Sequence, residues 1–292
     1  MAESETSKKK DRFMQDTSLH PESGPSSQFQ EDHSILRFLA IAAIAVMAAT
    51  TVARAAAPAS PQKVITAKGF LNIGGTAVTD LTANAKFPNN PDVVNYPTYF
   101  EWNPTGDINT PANNAYGDNY GGQMIGYFYP PVTGDYVFYL SADDGSNLYL
   151  STDDTAANKK LIAQESGWSN PRNWETIGGG STIPAKNSQT FTGTQWAAKD
   201  PAGGAKITLT ANKAYYIEAL FKEGGGGDNL AVAVAAPNGS IDQTLPIPGQ
   251  YLSSFDKITG PLTIVTQPLS QTVNEGQSVT FRVVADGTPP YS

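Results

Sequence analysis

Two consecutive carboxylates, Asp143 and Asp144, followed by Gly145, are the residues best placed to do chemistry in this chain of 292 residues. Adjacent side chains on a strand point to opposite faces, so both can meet one cation only where the backbone bends sharply or the peptide is cis. Carboxylates are hard oxygen donors, suited to calcium. Taken alone, Asp-Asp-Gly is also the composition of an ordinary polar turn. Asp228 and Asn229 follow the run Gly224 to Gly227 and offer a further carboxylate and an amide. That run lacks the Lys-Ser/Thr of a phosphate-binding loop and leads into strand-like sequence, so it reads as a loop presenting those two residues. A second acidic pair, Asp153-Asp154, reads as a solvated turn. Trp168 and Trp174, with Arg172 between them, could form a platform for the apolar face of a sugar with a hydrogen-bond donor beside it. The plainer reading of each Trp, Trp196 included, is a plug between loops and core. Trp102, beside Phe100, reads as structural.

Composition narrows the chemistry further. The chain has no Cys, which excludes disulfides, thiolate nucleophiles and Cys-rich metal sites. Its only histidines, His20 and His33, precede a segment expected to be removed, leaving no imidazole for a catalytic triad or for zinc. With 19 basic and 27 acidic residues the net charge is -8, which argues against a nucleic-acid or anionic-membrane surface. Only 16% of residues are charged, and 27 Gly and 21 Pro mark a folded chain rich in turns.

The elements that must position these groups fall into three stretches. Residues 1–59 comprise a polar segment and then Arg37, the apolar run Phe38 to Val52 and the small-residue sequence Ala53-Arg54-Ala55, the pattern of a secretory signal peptide. The apolar run falls short of the roughly 20 residues that cross a bilayer, so no stable span is expected after cleavage. A retained anchor is the alternative. Residues 60–257 show short apolar bursts between Gly, Pro, Asn and Asp clusters. Strands are expected at Gln123 to Tyr129, Tyr136 to Leu140, Asn147 to Leu150, Lys206 to Thr210, Tyr215 to Phe221 and Leu230 to Val234. Tyr215, Ile217, Ala219 and Phe221 should share one face, with Glu218 and Lys222 on the other. The expected fold class is an all-β antiparallel sandwich. Residues 258–292 resemble the first strands of an immunoglobulin-like domain, with Val279, Phe281 and Val283 alternating. About a third of such a domain of about 100 residues is present, which suggests a fragment of a larger multidomain protein.

Taken in order, Gly126-Tyr127, Thr133-Gly134-Asp135-Tyr136, Ser141-Ala142-Asp143-Asp144-Gly145 and Tyr215-Tyr216-Ile217-Glu218-Ala219 resemble the PA-fourteen module, named after the protective-antigen component of anthrax toxin. The resemblance covers roughly residues 64–255. In lectin-like members, including fungal flocculation adhesins, the Asp-Asp pair is joined by a cis peptide and binds Ca2+ with an Asn from a late loop. Sugar hydroxyls complete that ion's coordination. The resemblance therefore implies Asp143 and Asp144 as ligands, with Asn229 and its neighbour Asp228 less securely matched. Val234 stands where many members carry a Trp. The implied function is a secreted or cell-surface, calcium-dependent carbohydrate-binding or adhesion module, with a glycan as partner and no enzymatic activity of its own. A structural spacer, a protein-docking module, or an accessory module of a glycoside hydrolase are the alternatives. Hydrolysis would require carboxylates about 5 to 9.5 Å apart across the bond, which an adjacent pair gathered on one ion does not provide.

Overall fold

A computed structural model describes residues 56–102 and 116–256, together with two short strands and a few turn positions beyond residue 256. The polar segment and the apolar run expected as a signal peptide lie outside the described residues, as does most of the immunoglobulin-like start, Val279, Phe281 and Val283 included. Among the described residues no helix is long and apolar enough to cross a membrane.

Each of the six strands expected within residues 60–257 forms, in the order β1 (Thr66–Phe70), β2 (Val93–Asn95), β3 (Tyr120–Phe128), β4 (Gly134–Asp143), β5 (Ser146–Ser151), β6 (Lys159–Glu165), β7 (Ile207–Leu209), β8 (Tyr215–Glu223), β9 (Asn229–Ala235) and β10 (Leu252–Ser254), of which β1, β2, β6 and β10 are additional. Beyond these, β11 (Thr263–Thr266) and β12 (Val284–Asp286) pair antiparallel with each other. The one α-helix described, α1 (Val78–Thr82), spans five residues and packs against β8. Seven strands form one antiparallel sheet in the order β2-β1-β3-β8-β5-β6, with β10 continuing the β3 edge beyond β1. A smaller sheet runs β7-β4-β9. The result is an antiparallel β-sandwich.

Alternation of side chains along the strands builds the core between these sheets. Tyr136, Phe138, Leu140 and Ala142 of β4 and Leu230, Val232 and Val234 of β9 meet Leu148 and Leu150 of β5 and Tyr215, Ile217, Ala219 and Phe221 of β8 in one cluster. Ile207 and Leu209 join it from β7, as the alternation of that strand predicts. Trp196 is also in the cluster, as is Trp102, which stacks on Tyr120 and meets Phe221 edge-on.

The opposite face of β8 differs from expectation. Glu218 and Lys222 are buried rather than solvated, because β8 is central in the sheet and both of its faces are covered. Each charge has partners, as burial requires. Glu218 pairs with Lys159 and accepts from Gln123 at 2.6 Å and Tyr216 at 3.0 Å. Lys222 donates to the carbonyls of Gly75 at 2.8 Å and Glu223 at 2.7 Å.

Candidate functional site

The chain changes sheets at the acidic pair. Asp143 ends β4 and lies opposite Asn229 of β9 in the smaller sheet. Asp144 already belongs to the other side, its N–H donating to the Lys222 carbonyl of β8 at 2.9 Å. The Asp143-Asp144 peptide is cis. A second crossing, from β8 to β9 through Gly224 to Asp228, runs alongside, and the Gly224 N–H donates to Asp144 Oδ2 at 3.0 Å. Both crossings pass under the segment around Thr76. A Cβ on Gly145 would stand 2.8 Å from the Thr76 carbonyl oxygen, and one on Gly224 would stand 2.6 Å from the Thr76 methyl group. Close backbone approach explains both glycines.

At this corner Asp143, Asp144 and Glu223 each place a carboxylate oxygen within 4.8 Å of the other two. Glu223 is wholly buried, and neither of its carboxylate oxygens has a hydrogen-bond partner. Asn229 donates through Nδ2 to the Ser169 carbonyl at 2.9 Å, while its Oδ1 is buried without a partner. Burial and the charges of Asp144, Asp143, Asp228 and Asp118 push the Glu223 carboxyl up to about 8. Burial, with the carboxylates of Asp144, Asp228 and Glu165, pushes Asp143 up to about 7. Buried polar groups are ordinarily satisfied, and repelling carboxylates are ordinarily kept apart. A set of mutually repelling carboxylates, two half-buried and one buried, with a free amide oxygen beside it suits a divalent cation with hard-oxygen preference.

The candidates drawn from the sequence separate here. Asp143, Asp144 and Asn229 come together. Asp228 is buried behind them, where it accepts a hydrogen bond from the Tyr120 hydroxyl, which in turn accepts from Trp102 Nε1 at 3.0 Å. Glu223 is the member that sequence reading missed. Its signal was available: it continues the inward row Tyr215, Ile217, Ala219, Phe221, where a carboxylate has no reason to be unless something charged meets it. Asp153 takes the other course. Its carboxylate accepts from Ser151 at 3.1 Å, from Thr155 N at 2.8 Å and Oγ1 at 2.6 Å, and from Asn158 at 2.6 Å, as a polar turn should.

The PA14 domain matches residues 75–244, more than half of the chain. The chain belongs to the PA14 domain family. Similar folds among solved structures include an anti-sigma factor domain-containing protein from Clostridium clariflavum, at 14% identity over 68% of this chain with a TM-score of 0.39. This chain spans about half of that protein, 50% of its length. A PA14 sugar-binding domain from an RTX adhesin is matched over 66% of this chain and 98% of its own length, at 13% identity and TM-score 0.39. The epithelial adhesin 9 A domain from Candida glabrata, solved in complex with Galβ1-4GlcNAc, is matched over 67% and 94%, at 12% identity and TM-score 0.39.

Within this PA14 domain the remaining candidates lie on the long connection after β6. Trp168 is 41% exposed and rests against Gly178 and Gly179. Arg172 is engaged by Glu101, with Nε and an Nη atom each donating at 2.6 Å. Trp174 lines a cleft on the outer face of β4 and donates through Nε1 to the Thr244 carbonyl at 3.2 Å. Val234 is buried in the core.

Proposed function

We infer that this PA14 domain is a calcium-dependent carbohydrate-binding module of a secreted or cell-surface protein. The observation that carries the reading is the corner where Asp143, Asp144 and Glu223 converge, with both Glu223 oxygens and Asn229 Oδ1 buried and without partners. Asp143, Asp144, Glu223 and the Asn229 amide oxygen would hold the ion. Calcium takes six to eight oxygens, so a set of this size leaves coordination positions for vicinal sugar hydroxyls. Asp228 supports the site through its charge and through Tyr120.

The module binds rather than hydrolyses. The three carboxylates offer oxygens within 4.8 Å of one another, on one side of any ligand that reaches them. A glycosidase needs its pair about 5 to 9.5 Å apart, flanking the bond.

Calorimetric titration of calcium into chelator-stripped protein, followed by glycan binding with and without EDTA, tests the reading. One calcium site is expected, with glycan binding that disappears in EDTA. At a hundredfold excess over its Kd, calcium should stabilise the fold by about 2.7 kcal/mol. A folded protein that takes up no calcium would overturn the reading and leave a spacer or protein-docking module as the better account.

A further inference from the structure

Away from the carboxylate corner, a cleft of about 400 Å3 opens on the outer face of β4, lined by Tyr139, Asn173, Trp174, Glu175, Thr176 and Gln243. Tyr139 and Asp143 share that face and are separated by about 13 Å of strand. Ser141 lies between them, buried, its hydroxyl donating to the Asn170 carbonyl at 3.0 Å. The overlying chain at Ser169 and Asn170 therefore separates the cleft from the corner.

The cleft is held in shape by groups already engaged within the protein. Lys186, wholly buried, donates to the carbonyls of Asn173 and Thr176, the latter at 2.7 Å, and pairs with Glu165 at 3.4 Å. The Trp174 bond to the Thr244 carbonyl ties one wall to the other. Arg172 is fixed and neutralised by Glu101, with side chains only 13% and 5% exposed. Walls ordered during folding need not be ordered again on binding, which favours affinity.

The groups left over define the ligand. Among the described residues, the Tyr139 hydroxyl, the Asn173 and Gln243 side-chain amides and the Glu175 carboxylate make no hydrogen bond. Burial, with the Glu175 charge beside it, raises the Tyr139 pKa, so its hydroxyl is a neutral donor. Two aromatic side chains surrounded by unengaged amides, a hydroxyl and a carboxylate suit a ring with an apolar C–H face and polar edges, and the volume falls within the range of small-molecule sites. Among the described residues no unpaired cation lines the cleft, because Arg172, which also lines it, is paired with Glu101. An anionic sugar would meet repulsion.

We propose that the Tyr139–Trp174 cleft is a second carbohydrate subsite that takes a neutral pyranose without a metal ion. It does not depend on the calcium reading, since none of its lining residues belongs to the carboxylate corner. Saturation-transfer NMR on the full chain in EDTA, with millimolar methyl glycosides of glucose, galactose, mannose and N-acetylglucosamine, and with galacturonate, tests it. At least one neutral glycoside should show transfer, galacturonate none. Trp174→Ala should weaken the interaction about tenfold or more, since it removes the aromatic wall. Circular dichroism and thermal unfolding would establish that this variant is folded. Tyr139→Phe removes only the hydroxyl and should weaken binding severalfold, and it serves as the test if Trp174→Ala does not fold. Absence of transfer from every neutral glycoside in EDTA would overturn the proposal, as would transfer unchanged in folded Trp174→Ala, or a preference for galacturonate.

Discussion

Asp143-Asp144 and Asp153-Asp154 are the same dipeptide at or just beyond the ends of consecutive strands, yet the fold treats them in opposite ways. Around Asp153, four donor atoms from Ser151, Thr155 and Asn158 satisfy the carboxylate within a few residues of chain. Burial there pushes its pKa up, but those hydrogen bonds more than offset it and hold Asp153 at about 2. Around Asp143 the neighbours brought in by the fold are other acids, and the pKa rises to about 7. Composition does not separate the two pairs. A local turn supplies its own donors, whereas a corner between sheets collects whatever the crossing strands deliver, which here is Glu223 and Asn229.

The largest expected effect is the direct contrast between the pairs. Asp143→Asn with Asp144→Asn should weaken calcium binding by about a hundredfold or more, since each substitution removes a charge and leaves only a neutral amide oxygen, a weaker donor. Asp153→Asn with Asp154→Asn should leave the calcium isotherm unchanged. Equal losses in both double variants, measured by calorimetry, would erase the distinction.

Glu223→Gln tests the residue that sequence reading missed. Calcium affinity should fall about tenfold or more, while thermal unfolding in EDTA should shift upward, because a buried, repelled carboxylate has been removed. A variant less stable in EDTA and unchanged toward calcium would make Glu223 a structural residue.

Acidity separates the pairs next. Asp143 and Glu223 hold protons in the ion-free fold up to about 7 and about 8, whereas the unfolded chain releases them near pH 4. Between those limits the folded state binds more protons, so ion-free stability falls as pH rises through the window. Calcium must displace the same protons, so its affinity should climb over the same range. Asp153 has the opposite sign: its contribution is present above about pH 4 and is lost as pH falls through about 2. Thermal unfolding of the ion-free protein from pH 2 to 9, with calcium titrations above pH 4, checks both slopes.

The smallest effect should be Asp153→Ala. It removes the acceptor of the turn after β5 at a cost of about 1 to 2 kcal/mol, visible in denaturant unfolding and absent from the calcium isotherm.

Much of the fold was legible because alternation is a local signal. The rows Ile207 and Leu209, and Tyr215 to Phe221, announce strands with one apolar face, and each enters the core. β6 escaped because Lys159 to Glu165 shows no clean alternation, and its pairing with β5 shifts register between Leu148 and Tyr149. β2 and β10 are three residues each, too short for any period to show. The burial of Glu218 and Lys222 was illegible because it follows from the central place of β8, which depends on which strands flank it.

By itself the sequence determined the class of chemistry, hard oxygen donors without thiol, together with the β-sandwich and the Asp143-Asp144 motif. Those properties reside in residue types and short-range periodicity. Only the tertiary structure decided that Asp144 and Asp143 serve different sheets, that Glu223 joins them while Asp228 turns to Tyr120, and that Tyr139 meets Trp174 across a cleft. Each of those contacts joins residues far apart in the chain. Their proximity is set by sheet pairing and by the burial of the core, and no local stretch of sequence encodes it.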